Sequence, residues 1–368
     1  MNPLLEEWRA PFGAPPLDRI HPEHFPPAYA EGFAQHDAEI ARIADDPAPP
    51  DFANTIIAFE KSGRLLGQVD AVFFVLSGAA TNEALQKIER ELAPRVSAHH
   101  NSIYLNAKLF ARIDAVWQHR APHPLDAEDR KVLERIHLDF VRAGARLSQD
   151  GRARMDQLNQ RLAVLTTEFS QNVLADEEDY VEKLSEAQAA GLPLSLREAL
   201  ATTANERNVD APYAVTLARS SVEPVLQSAS DRGLREKLFK AWVARGDNPN
   251  AHNNRAIIAE TLKLRAEKAA LMGYDNYAAY KLADTMAQTP ERARVLLEKV
   301  WSPALKRAGE ERDALQALVV EEGGNFKLAP WDWRFYAERL RQRRYDFDEE
   351  TLKPYFSLDD VIAASSKA

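Results

Sequence analysis

The side chains that could do chemistry are the nine histidines (His21, His24, His36, His99, His100, His119, His123, His137 and His252), the acidic run Asp176–Asp179 and the arginines between 339 and 344. A histidine-rich chain invites a search for metal. A helical zinc site places two histidines at i and i+4 on one face, with a glutamate after the first to act on the metal's water. No HExxH occurs here. His119 and His123 are four apart, but Pro122 and Pro124 make that segment a loop. His21 and His24 are three apart across a helix start, where a histidine usually caps or is solvated. His99 and His100 are adjacent, so on a helix they diverge by about 100° and cannot readily share an ion.

Nucleophilic chemistry has no better footing. The chain has no cysteine, no GxSxG and no glycine-rich phosphate loop. Disulfides, thiolate nucleophiles, iron–sulfur clusters and cysteine zinc sites are thereby excluded. The carboxylates Asp176, Glu177, Glu178 and Asp179 form a run of the kind usually solvated. The arginines at 339, 341, 343 and 344 could bind an anion, but such side chains more often pack their stems on aromatics and leave the heads in water. No residue is therefore assigned a catalytic, cofactor-binding or metal-ligating role.

The 368 residues carry a formal net charge of −9 and a pI of about 5.6, which disfavours a nucleic-acid binder. Hydrophobic content is 45% and charged content 28%, ordinary for a globular chain. Glycine is scarce, and alanine, leucine, glutamate and arginine are plentiful, which favours helix. The N-terminus lacks the basic and apolar regions of a signal peptide, and no window approaches the length of a membrane span. The expected location is the cytoplasm.

The elements that would position any site read as helices. One runs from Pro22 to about Ala44, then Phe52 to Gly78 with Gly63 and Gly67 inside it, then Thr81–Asn82 to Tyr104 with Pro94 as a kink. Shorter helices follow at Lys108–His119 and Asp126–Ala145. Arg152–Leu184 shows the longest apolar stripe, through Met155, Leu158, Leu162, Leu165, Phe169 and Val173. Tyr213–Leu217 is the best strand candidate. Helices resume near Ser221, Asp231 and Asn254, the last closed by Gly273, and Thr289–Pro290–Glu291 starts one that runs to about Glu321. The fold expected is all-α, an elongated multi-helix body with at most one small β-hairpin, with a soft boundary dividing residues 1–190 from residues 191–368.

Residues 330–360 concentrate eight aromatics: Trp331, Trp333, Phe335, Tyr336, Tyr345, Phe347, Tyr355 and Phe356. Phe335, Leu340 and Tyr345 are expected on the buried side of a helix over Trp331–Tyr345. An acidic turn, Asp346 to Glu350, and Pro354 follow. Little chain remains beyond Asp360, so the partner of this stretch is expected outside the 368 residues.

Several long segments, in order, carry a resemblance: NPLLEEWRAPFGAPPLDRIHPEHFPPAYAEG (2–32), FANTIIAFEKSGRLL (52–66), LTTEFSQNVLADE (165–177), SVEPVLQSASDRGLREKLFKAWVARGDN (221–248), NRAIIAETLKLRAEKAALMGYDNYAAYKLADTMA (254–287) and PWDWRFYAERLRQRRYDFDEETLKPYFSLDDVI (330–362). Together they resemble the N-terminal part of the bacterial peptidyl-dipeptidases, the dipeptidyl carboxypeptidase branch of the thimet oligopeptidase and neurolysin family of zinc metallopeptidases. The resemblance implies a helical body forming one wall of a peptidase channel, short peptides as substrate, release of C-terminal dipeptides, and zinc held by an HExxH helix and a distal glutamate. Those zinc residues have no counterpart here. The chain is read as stopping short of the catalytic half, which would be its missing partner. Alone it is expected to be inactive. The alternative is a stand-alone helical peptide-binding or scaffold protein.

Overall fold

The computed structural model describes residues 2–120, 125–345, 352 and 355–365. His123, the acidic turn Asp346–Glu350, Phe347, Pro354 and the tail after Ser365 lie outside the described residues.

In chain order the helices are α1 (Phe25–Ala44), α2 (Ala58–Glu60), α3 (Arg64–Ala79), α4 (Glu83–Tyr104), α5 (Ala107–Gln118), α6 (Ala127–Ala143), α7 (Gln149–Asp179), α8 (Glu186–Ala189), α9 (Leu194–Glu206), α10 (Arg219–Ser228), α11 (Arg232–Val243), α12 (Arg255–Leu271), α13 (Tyr277–Leu282), α14 (Pro290–Glu321), α15 (Trp333–Tyr345) and α16 (Leu358–Ser365). The fold is all-α. Its small β element is an antiparallel pair, β1 (Glu182–Leu184) with β2 (Tyr213–Val215), in which Lys183 faces Ala214. The two strands are joined through α8 and α9 rather than by a tight turn.

Helix starts follow side-chain chemistry. The Oδ1 atoms of Asn82, Asp126, Asp231 and Asn276 accept from the backbone N–H three residues on, at 3.0, 2.8, 3.1 and 2.9 Å. Each satisfies a donor that the first turn leaves orphaned. After α12, Gly273 takes φ +79°, and the Tyr274 N–H reaches back 2.9 Å to the Ala269 carbonyl, a left-handed close that glycine adopts without strain.

Two expectations need correction. Phe52–Gly78 is not one helix: Phe52–Ile57 is a π-helical turn, and Gly63 at φ +72° ends the first piece before α3 begins. A Cβ on Gly63 would lie 2.7 Å from the His36 ring, so the position tolerates no side chain. Likewise the helix expected to reach Leu184 stops at Asp179, because Glu182–Leu184 is claimed by strand pairing with Tyr213–Val215.

The chain divides into two compact units. The first comprises residues 1–171 and 254–290. One of its cores gathers Phe25, Tyr29, Val69, Phe73, Leu85 and Leu92. A second gathers Ile56, Leu109, Ile113, Leu133, Ile136 and Phe140, and Leu158 and Leu165 of α7 meet Leu264 of α12. The second unit comprises residues 172–253 and 291–368. Leu184, Leu200, Val215, Val225, Leu226 and Leu238 pack around its β pair. A separate cluster joins Leu315, Leu318 and Val319 of α14 to Phe335 and Tyr336 of α15.

Candidate functional site

The described histidines have local structural partners. The His21 N–H donates 3.0 Å to Nδ1 of His24, which makes that pair a helix-start cap. His119 Nδ1 lies 2.8 Å from the Ala115 carbonyl, an acceptor, so this nitrogen carries the proton and closes α5. His137 Nε2 meets Asp114 Oδ1 at 2.9 Å while its ring stacks on Trp117. His252 Nε2 is 3.5 Å from Asp179 Oδ2. Among the described residues no group of three His, Asp or Glu side chains converges to hold a metal ion. Zinc, which the resemblance implies, finds no fit among the described residues.

A constellation that sequence spacing did not reveal lies in the first unit. Ser62 Oγ is 3.2 Å from His36 Nε2, His36 Nδ1 is 3.0 Å from His99 Nε2, and His99 Nδ1 is 3.3 Å from Asp37 Oδ1. Ser62 Oγ donates its one proton to the Phe59 carbonyl at 2.6 Å, so toward His36 Nε2 it is an acceptor, and the row links the two imidazoles to Asp37. Burial holds both below the ordinary histidine value of 6.5, and for His36 the neighbouring His99 adds to that. The Ser62 hydroxyl proton thus stays inside its own turn, and the row is not a nucleophile relay. Glu39 Oε2 accepts from the Gly63 N–H at 2.7 Å on the same turn. The arrangement therefore ties α1 and α4 to the Gly63 turn. Beside it opens a cavity of about 330 Å³ with Glu39, Arg42, Asn54, Lys61 and Ser62 on its walls.

The acidic run makes structural contacts. Asp176 is buried and accepts from the Gly246 N–H at 2.7 Å, Asn248 Nδ2 at 2.9 Å and Asn250 Nδ2 at 2.6 Å. Burial pushes its carboxyl up, but these three donors and the nearby His252 more than offset that and hold it below 3.8. Glu177 pairs with Arg245. Asp176 thus orders the loop between α11 and α12.

The arginine-rich helix is also committed. Arg339 reaches Glu322 at 3.3 Å, Arg341 reaches Glu338 at 2.7 Å, and Arg343 pairs with Glu321. Arg334 reaches Glu223 at 3.1 Å. At the helix start Asp332 is fully buried and accepts from Arg232 and Arg235 at 2.8 and 3.0 Å, and from the Ala329 N–H at 3.0 Å. The Arg235 guanidinium lies 4.1 Å over the Phe335 ring.

The expectation that this aromatic stretch has no partner in the chain is therefore corrected for its first half. Phe335 and Tyr336 are buried against α14, and α15 packs on α10. Tyr345, expected on the buried side, is 71% exposed. Uncovered apolar surface lies instead on the first half of α14. There Val295, Leu296, Leu297, Val300, Trp301 and Leu305 are between 52% and 68% exposed. Tyr355, Phe356, Leu358, Val361 and Ile362 are exposed near and on α16. Among the described residues no helix is long and apolar enough to cross a membrane.

Residues 225–365 match the model of peptidase family M3. The chain is 41% identical over 363 residues to the dipeptidyl carboxypeptidase of Escherichia coli (strain K12), covering 98% of this chain and 53% of that protein. It is 30% identical to the probable cytosolic oligopeptidase A of Arabidopsis thaliana, over 99% of this chain and 52% of that protein. Against oligopeptidase A of Escherichia coli (strain K12) identity is 27%, over 98% of this chain and 53% of that protein. The chain spans about half the length of the curated relatives it matches.

Proposed function

From the premise that this chain is related to the peptidases of family M3, we propose that it is the N-terminal, non-catalytic portion of a zinc metallopeptidase that releases C-terminal dipeptides from oligopeptides. The observation that carries the reading is the 41% identity to a dipeptidyl carboxypeptidase over 98% of this chain. Within this proposal the zinc ligands and the general base reside in the part of the enzyme that these residues do not cover. This chain contributes helical structure, and no catalytic, cofactor-binding or metal-ligating residue is assigned to it. The cytoplasm is the proposed location, supported by the cytosolic designation of one plant relative.

The test is peptide cleavage. The purified chain, given a short N-blocked peptide and zinc, is expected to release no C-terminal dipeptide. Supplying the segment of the Escherichia coli relative that this chain does not cover should restore release, and a chelator should abolish it. Chelator-sensitive cleavage by the chain alone would sink the proposal.

A further inference from the structure

Every residue of α14 from Arg294 to Ala308 is exposed, around the whole circumference of the helix. Yet these turns are not built for water on all sides. Leu296, Leu297, Val300, Trp301 and Ala304 recur at three and four residues and fall on one face. A helical stretch of this length is marginal in water without tertiary packing. Farther along the same helix, Leu315, Leu318 and Val319 are already covered by Phe335 and Tyr336. The bare face thus needs a cover that the described residues do not supply.

We propose that this face of α14, centred on Val300 and Trp301, is the docking surface for the polypeptide that makes up the remainder of the relatives' length. The inference rests on the reading under Proposed function. Two observations name the occupant. The relatives carry roughly as much polypeptide again as this chain covers, since the match is 53% of their length. The bare face also lies inside residues 225–365, the segment that matches the peptidase family M3 model. Its chemistry agrees. Trp301 is the kind of aromatic anchor that centres a protein interface. The charges around the stripe are of both signs, Arg294, Lys299 and Lys306 against Glu298 and Glu310. A helix made for an anionic membrane would present a basic polar face instead.

The experiment uses the full 368-residue chain and, as probe, the uncovered segment of the Escherichia coli dipeptidyl carboxypeptidase produced as a separate polypeptide. Light scattering after size exclusion is expected to show a one-to-one complex, with a Kd of about 1 µM or tighter. Val300→Asp and Trp301→Asp should each weaken it by at least about tenfold. Phe74→Asp, at a site 77% exposed on α3, should leave it unchanged. Because all three sites are exposed, circular dichroism should be unaltered. Hydrogen exchange gives a second readout: amides of residues 294–308 should slow on complex formation. Three results overturn the assignment: no complex, a complex indifferent to both α14 variants, or self-association that Trp301→Asp abolishes without uptake of the probe. A complex that forms through α14 but cleaves nothing would retire the peptidase reading and leave the docking surface standing.

Discussion

Asp332 and Arg235 carry opposite charges into the interior of the second unit at 0% and 1% exposure. Burial alone would push the Asp332 carboxyl up, but the Arg232 bonds, the Ala329 N–H and Arg235 outweigh it and hold the group below 3.8. Such a pair need not add net stability, but removing one partner strands the other's charge. Asp332→Asn should therefore cost about 3–5 kcal/mol in a denaturant titration. Glu321→Gln, whose partner Arg343 is exposed, should cost less than about 1 kcal/mol. The histidines add a pH dependence of determined sign. Burial lowers His36, His99 and His100 in the folded state, relative to an ordinary value of 6.5. Below pH 6.5 the unfolded chain binds protons that the folded chain refuses, so stability falls as pH drops and levels off once the folded pKa values are passed. Thermal unfolding between pH 7.5 and 5 should show this fall, and His36→Gln should flatten it. Contacts of this kind were not legible in the sequence: His36 and His99 are 63 residues apart, and no spacing rule reaches that far.

At the scale of elements, local signals were legible where a single residue sets the geometry. Asn82 starts α4, Pro290 starts α14 and Gly273 closes α12, each by a side-chain bond or a fixed dihedral. What stayed hidden depends on distant partners. Glu182–Leu184 continues a helical pattern but pairs with Tyr213–Val215. The aromatic run from Trp331 pointed to burial that holds for Phe335 and Tyr336, but the partner expected outside the chain is for that half α14, α10 and α11, and Tyr345 is exposed. Gly63 offers a direct check on the turn between α2 and α3. Gly63→Ala must hold a Cβ at φ +72°, at a cost of about 1–2 kcal/mol, before the 2.7 Å approach to His36 is counted. Differential scanning calorimetry should show a lower transition for this variant, whereas Gly67→Ala, inside α3 with open space around it, should be neutral or stabilising.

At the scale of the whole molecule, the all-α class followed from composition and periodicity, and the resemblance to peptidases rested on long ordered segments rather than on any reactive group. Many of the side chains that the sequence singles out have structural partners among the described residues. The candidate histidines cap helices or knit them together, the acidic run orders a loop, and the arginines of α15 that the structure pairs are bound to carboxylates. What the described residues leave open is apolar surface on α14 rather than a reactive cluster. The proposal that this chain is the non-catalytic part of a peptidase is tested most directly by one assay: release of a C-terminal dipeptide from a blocked peptide, with and without chelator, by the chain alone and with the uncovered segment of the Escherichia coli relative added. The account predicts no release by the chain alone and chelator-sensitive release once the segment is present. Chelator-sensitive release by the chain alone would contradict it.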